Sequence, residues 1–119
     1  MVIENIRRLD GLDVDLGLKN CMEDEDLYLS ILDMYVTQLK DNIPELEGLR
    51  NNQEWTTYGK TCHSIKGASA SVGAVKIQTL SASLEAAGKD EDAGTIEQSH
   101  VDFCDVLQST IDSISTATS

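Results

Sequence analysis

The chain has 119 residues, of which 21 are acidic and nine are basic, and its formal net charge at pH 7 is −12. The length fits one compact domain, and the apolar content of 40% excludes a disordered chain. The acidic balance argues against nucleic acid as a partner, because binding to a phosphate backbone needs a broad basic surface.

The expected cellular setting follows from features that the sequence lacks. The N-terminus has no apolar signal core, and no segment approaches the roughly 18–20 apolar residues of a membrane span. The three cysteines, Cys21, Cys62 and Cys104, form no C-x-x-C pair, which is typical of a reduced intracellular chain. We therefore expect a cytoplasmic protein without membrane contact, and the apolar pattern requires nothing larger than a monomer.

The first segment, residues 1–23, is predicted to be a short N-terminal helical extension, and residues 24–115 are predicted to contain four longer helices. The extension includes one amphipathic segment and a further single turn. The apolar residues of the amphipathic segment are Val2, Ile3, Ile6 and Leu9.

The first long helix is predicted from its start signal and its apolar residues. Asp24 is a suitable N-cap, Pro44 should kink or restart the helix because it lacks the N–H, and Asn51-Asn52 indicates a break and the next N-cap. Two apolar stripes run along this helix, one through Leu27, Ile31, Met34 and Tyr35, the other through Leu29, Leu32, Val36, Leu39 and Ile43. A bundle helix needs only one, so the second stripe must face the N-terminal segment, a partner, or both.

Three more helices follow, at about residues 53–71, 74–87 and 96–114. Gly73 is expected to end the first of these as a left-handed cap. Four amphipathic helices joined by short links predict an all-α fold, an antiparallel up-and-down four-helix bundle with the extension covering one end. We expect residues 1–119 to form a single domain.

The thirty residues 55–84 contain no acidic side chain, although the chain has 21 of them. The charges in this tract are Lys60, Lys66 and Lys76, and His63 lies between the first two. A histidine without neighbouring carboxylates in the sequence does not repel an anionic group, and a phosphoryl group is the natural candidate for that anion.

On a helical wheel, His63 lies away from the apolar stripe of its helix and should reach solvent. Gly59 and Gly67 lie one turn before and one turn after it, Ala70 lies two turns on, and Lys60 flanks the same face. Missing side chains let the backbone of another protein approach the imidazole closely. Gly59, Lys60, Gly67 and Ala70 are therefore the predicted partner-docking positions.

The chemistry at this histidine needs few other groups. A neutral imidazole is a competent nucleophile near pH 7, and Lys66 can offset part of the charge of a moving phosphoryl group. No nucleotide-binding loop is present, so donor and acceptor must be other proteins. We predict a phosphoryl carrier rather than an enzyme, with no cofactor and no metal of its own.

Residues 63–74, HSIKGASASVGA, resemble the signature of histidine-containing phosphotransfer (HPt) domains, H-x-[LI]-K-G-x-[SA]-x-x-x-G-A. The resemblance extends from about residue 11 to residue 114. It implies that His63 accepts phosphate on Nε2 from a receiver-domain aspartate and passes it to another receiver within a multistep phosphorelay. It also implies that Lys66 helps to stabilise the phosphoryl group and that Gly67 leaves room for the receiver.

The partners that the resemblance implies are receiver domains of response regulators, a hybrid histidine kinase, or both. The magnesium ion of such a reaction would belong to the receiver. Some family members place a glutamine on the next helix within reach of the histidine. Counting without gaps puts Glu85 at that place, with Gln78 two turns earlier as the other candidate. A carboxylate there could accept the Nδ1–H of His63 but would repel phosphate.

Two other functions stay open at this point. One is a helical adaptor that docks a receiver or kinase without carrying phosphate, and the other is the phosphoacceptor domain of a chemotaxis-type histidine kinase.

His100 falls on the apolar stripe of the last helix and should be a core histidine whose ring nitrogens are hydrogen-bonded. A zinc site from Cys62, His63 and His100 is not expected, because adjacent residues point about 100° apart on a helix.

Overall fold

The computed structural model describes residues 2–119, which form six α-helices and contain no strand. The helices are α1 (Val2–Arg7), α2 (Val14–Asn20), α3 (Glu25–Asn51), α4 (Trp55–Val72), α5 (Val75–Lys89) and α6 (Ala93–Thr118). The all-α prediction is confirmed, while the antiparallel up-and-down order of four helices stays a prediction. Across residues 2–119, no helix is both long and apolar enough to cross a bilayer.

Two of the predicted helix ends are confirmed. Asp24 is the N-cap of α3, and its carboxylate accepts a hydrogen bond from the Leu27 amide at 3.1 Å. This bond pairs one of the donors that the start of a helix leaves free. Gly73 ends α4 with a φ of 82°, a left-handed conformation that glycine adopts without steric cost.

The link between α3 and α4 differs from the prediction. α3 continues through Pro44, which is exposed, so the carbonyl that its missing N–H leaves unpaired can bind water. Asn52 does not cap α4 but closes α3. Gln53 has a φ of 56°, and the Glu54 amide donates to the Leu49 carbonyl at 2.9 Å, as in a Schellman ending.

The core face of α3 takes residues from both stripes predicted for this helix, mostly from the second. Tyr28, Leu32 and Leu39 are fully buried, whereas Leu27 and Met34 of the first predicted stripe are 40% and 69% exposed. Tyr28 can lie in the core because its hydroxyl donates to a backbone carbonyl of α4 at 2.8 Å. Of the first predicted stripe, Tyr35 is buried in the core, while Leu27 and Met34 face solvent.

The second predicted stripe is covered from within the chain. Leu29 and Val36 line a recess together with Val2 of α1 and Ile114 of α6. Helix α6 packs on α3, whereas α1 packs on α6 and contributes Val2 to the lining of this recess. The cover of this stripe therefore comes from within the chain, and mainly from α6 rather than from the N-terminal segment.

Residues from outside α4 complete its carbonyl end. The amide of Asp13, the side-chain amide of Asn20 and the hydroxyl of Tyr28 donate to the carbonyls of residues 70–73 at distances from 2.7 to 3.4 Å. The last carbonyls of a helix have no partner within it. These bonds therefore fix the end of α4, the helix that carries His63.

Candidate functional site

His63 lies on the side of α4 that faces solvent. Its side chain is 68% exposed, whereas Cys62 and Ile65 on the same helix are fully buried. The prediction that His63 reaches solvent is confirmed, and a group on another protein can approach its imidazole.

One edge of the His63 ring is bound by α5. Nδ1 lies 2.8 Å from Oε2 of Glu85, whose side chain is only 10% exposed. An ionised carboxylate can only accept hydrogen bonds, so Nδ1 carries the proton and Nε2 keeps its lone pair. The sequence offered Glu85 and Gln78 as candidates to orient the imidazole. The ring bonds to Glu85 and not to Gln78.

Cations surround the Glu85 carboxylate. Oε1 lies 2.6 Å from Nζ of Lys66, and Oε2 lies 3.7 Å from Nζ of Lys89. The hydrogen bond from Lys66, and then the one from His63, holds the pKa of the Glu85 carboxyl below its ordinary value. Sequence reasoning missed Lys89, although its spacing of four residues from Glu85 on a helix was a usable signal.

The acid-free tract does not keep carboxylates away from His63. Glu85 is the first residue after residues 55–84, and the packing of α5 on α4 brings its carboxylate against the ring. The expectation of a surface without anionic side chains around His63 is therefore wrong. Lys66 and Lys89 offset the charge that Glu85 adds.

The two glycines that flank His63 have different environments. Gly67 is exposed, and a Cβ added to it would meet nothing within 4 Å. Gly59 is buried, and a Cβ there would lie 3.0 Å from Cα of Gly88 and 3.1 Å from the carbonyl oxygen of Glu85. The predicted docking role of Gly59 is wrong, because its missing side chain is used for close contact between α4 and α5.

The other predicted docking positions lie on more open surface. Lys60 is exposed and Ala70 is half-buried. α3 borders this face, because the side-chain amide of Gln38 donates to the Ser64 hydroxyl at 3.4 Å. Met34, one turn earlier on the same face of α3, is 69% exposed. An exposed apolar side chain therefore lies beside the small residues near His63.

The second histidine lies in the core, as predicted. His100 is 1% exposed, with Nδ1 2.8 Å from the Tyr58 hydroxyl and Nε2 2.9 Å from Oε2 of Glu47. Within residues 2–119, Glu47, His100 and Cys104 form a group whose potential metal-ligand atoms lie within 4.8 Å of one another. Sγ of Cys104 is 3.8 Å from both ring nitrogens. A position equally distant from the two nitrogens is not in line with the lone pair of either one, as shared metal ligation would need. The hydrogen bonds of His100 with Tyr58 and Glu47 explain why these side chains lie together.

Comparison with known families places the site in context. A sequence model of the Hpt domain matches residues 30–117, a range that contains α4 and α5 and therefore His63, Lys66 and Glu85. No curated protein and no solved structure matches the chain significantly. Because the family match covers most of the chain and includes the histidine with its surroundings, the chain belongs to the Hpt domain family.

Proposed function

We propose that this chain carries a phosphoryl group on Nε2 of His63, which it accepts from an aspartyl phosphate of one receiver domain and passes to another receiver. Hpt domains act in histidine phosphotransfer within phosphorelay signalling, and this supports the reaction class. The observation that carries the proposal is the ring itself, which is 68% exposed and bound to Glu85 through Nδ1, so that Nε2 is free.

The transfer forms one bond and breaks one. The Nε2 lone pair attacks phosphorus, the P–O bond to the donor aspartate breaks, and its electron pair returns to the receiver carboxylate. Because the proton is already on Nδ1, Nε2 needs no base. The same steps in reverse order return phosphate to a receiver, so we propose a reversible carrier rather than an enzyme.

Lys66 is proposed to give electrostatic support to the phosphoryl group. Its ion pair with Glu85 at 2.6 Å keeps the ammonium group beside the ring, and its side chain is 34% exposed. The phosphoryl oxygens are negatively charged throughout the transfer, so a cation held nearby favours it. The proposal includes no cofactor and no metal on this chain, since the receiver would bind the magnesium ion.

The proposed receiver-docking surface consists of Lys60, Gly67 and Ala70 on α4 and Met34 on α3. The space above Gly67 lets a partner come close one turn from His63, and exposed Met34 offers an apolar contact. The proposed partners are receiver domains of response regulators, a hybrid histidine kinase, or both.

The proposal also covers the organisation of the chain. Helices α3–α6 pack on one another, and we propose that they form the antiparallel up-and-down bundle. Contacts of α1 with α6 and of α2 with α4 support one domain over residues 1–119. We further propose a cytoplasmic monomer, which sedimentation analysis of the purified protein would test.

Incubation with a radiolabelled phospho-receiver tests phosphate carriage. Label should move to the wild-type chain and not to His63→Gln, and peptide mapping should place it on His63 rather than on His100. Equal labelling of both proteins, or no labelling by any of several receivers, would refute the proposal. Receiver binding without labelling would then indicate an adaptor. Labelling only by a kinase catalytic domain with ATP would indicate a chemotaxis-type phosphoacceptor domain.

A further inference from the structure

We propose that Glu85 keeps the ring of phosphorylated His63 protonated on Nδ1, so that the phosphoryl group stays transferable at neutral and mildly alkaline pH. This inference rests on the proposed function, because it concerns the phosphorylated state of the same histidine. Glu85 is in this sense a positioning residue, which acts on the departing phosphoryl group through the imidazole.

The geometry allows Glu85 to act on the phosphorylated ring. The two nitrogens lie on opposite edges of the imidazole, so a phosphoryl group on Nε2 leaves the 2.8 Å contact between Nδ1 and Oε2 in place. The carboxylate is also fixed, since its other oxygen is bound to Lys66 at 2.6 Å and its side chain is 10% exposed. Glu85 is therefore in contact with the ring before and after phosphorylation.

Protonation of Nδ1 decides how well the imidazole leaves. When the ring keeps this proton, attack of a receiver carboxylate on phosphorus breaks the P–Nε2 bond, the electron pair returns to Nε2, and a neutral imidazole is released. When the ring has lost the proton, an imidazolate anion would have to leave, which is far less favourable. An anion in contact with Nδ1 favours the protonated, cationic ring and hence the transferable form.

The other charged groups near the ring set the size of this effect. α4 contributes Lys60 and Lys66, and α5 contributes Lys89. On α3, Glu45 accepts a hydrogen bond from a threonine of α4 at 2.8 Å and makes no contact with the ring. Among the residues that the structure describes, Glu85 makes the charged contact with the ring itself. The effect of Glu85 on the protonation of Nδ1 should therefore be the largest, and the positive charges of Lys66 and Lys89 should reduce that effect.

Phosphorus NMR of the phosphorylated protein tests the inference. Wild type, Glu85→Gln and Glu4→Gln are loaded with potassium phosphoramidate, and the phosphohistidine signal is followed from about pH 5 to about pH 10. Glu4 is an exposed residue of α1, so the control loses the same charge on a different helix. Circular dichroism establishes that each variant is folded.

The expected result is a shift of the titration midpoint. The midpoint should be about one pH unit lower in Glu85→Gln than in wild type, the size expected for loss of a carboxylate in direct contact. It should be unchanged in Glu4→Gln. Above both midpoints, this shift lowers the protonated fraction about tenfold. Transfer to a receiver should then be about tenfold slower in Glu85→Gln at alkaline pH, relative to the rate near pH 5.

A second variant keeps the test decisive if Glu85→Gln does not fold. Lys66→Met removes a cation that competes for the carboxylate, so its midpoint should move upward, opposite to the first shift. Equal midpoints in wild type and Glu85→Gln, or a downward shift in Lys66→Met, would overturn the inference while leaving phosphate carriage on His63 intact. If phospho-receivers do not label wild type at His63, the proposed function fails, and the inference fails with it.

Discussion

Replacement of Gly67 by glutamine separates the stability of the fold from the docking of a partner. Gly67 lies inside α4 on an exposed face, and a Cβ added there would meet nothing within 4 Å. Glycine inside a helix costs roughly 0.5–1 kcal/mol relative to alanine, and glutamine is nearly as good a helix former as alanine. The free energy of unfolding should therefore rise by about 0.5–1 kcal/mol.

The same substitution should slow phosphotransfer. The new side chain starts one turn from His63 and extends into the space that an approaching receiver would fill. We expect the transfer rate to fall by at least about tenfold, which corresponds to about 1.4 kcal/mol of lost stabilisation of the docked transition state.

Gly48→Gln is the matched control for this experiment. Gly48 lies in α3, and a Cβ added there also meets nothing within 4 Å, so stability should rise similarly while transfer stays at the wild-type rate. Urea unfolding measures the stability, and a labelled receiver measures the rate. Equal transfer by the two variants would show that no receiver docks at Gly67. A loss of stability in Gly67→Gln would show that this helix face is not free.

Three further predictions concern packing and charge. Gly59→Val should lower the free energy of unfolding by about 1–3 kcal/mol, because the added side chain meets the backbone at Gly88; an unchanged urea midpoint would contradict this. Tyr28→Phe should cost about 1–3 kcal/mol, because the buried Val72 carbonyl loses its donor; a wild-type thermal melt would show that the bond is dispensable. The contacts of Glu85 lower its pKa, so their stabilisation is present above the ordinary glutamate pKa and is lost as pH falls through the lower folded value. The difference in melting temperature between wild type and Glu85→Gln should therefore shrink towards acid pH, and a constant difference would argue against it.

Features that depend on neighbouring residues could be predicted from the sequence. Asp24 caps α3 by binding an amide three residues on, and Gly73 ends α4 through its own φ angle. The histidine motif is also local, since residues 63–74 lie in one helix and its end. Each of these signals is contained in one short segment, so no knowledge of tertiary packing was needed.

The different roles of Gly59 and Gly67 could not be predicted in this way. On a helical wheel they lie about 40° to either side of His63, so a reading of α4 alone treats them alike. α5 packs on the Gly59 side, where Gly88 meets it backbone to backbone. The distinction arises from contact between two helices, and neither segment contains it alone.

The choice between Glu85 and Gln78 had the same difficulty. Both residues lie on α5, two turns apart, and the offset of α5 along α4 decides which one reaches His63. The close contact of Gly59 with the backbone of α5 at Glu85 fixes that offset. The composition of residues 55–84 alone does not show that Glu85, the next residue in the chain, lies against His63. The packing of α5 on α4 produces that contact.

The bonds to the carbonyls of residues 70–73 bear on where the domain can be cut. The family match begins at residue 30, yet the three donors Asp13, Asn20 and Tyr28 all precede it. In a shortened protein that starts at residue 30, those carbonyls would lose these three donors. We expect α4 to unwind from that end towards Gly67. Residues 13–28 thus hold the end of the helix that carries His63, and kinetics measured on a shortened protein would describe a less rigid site.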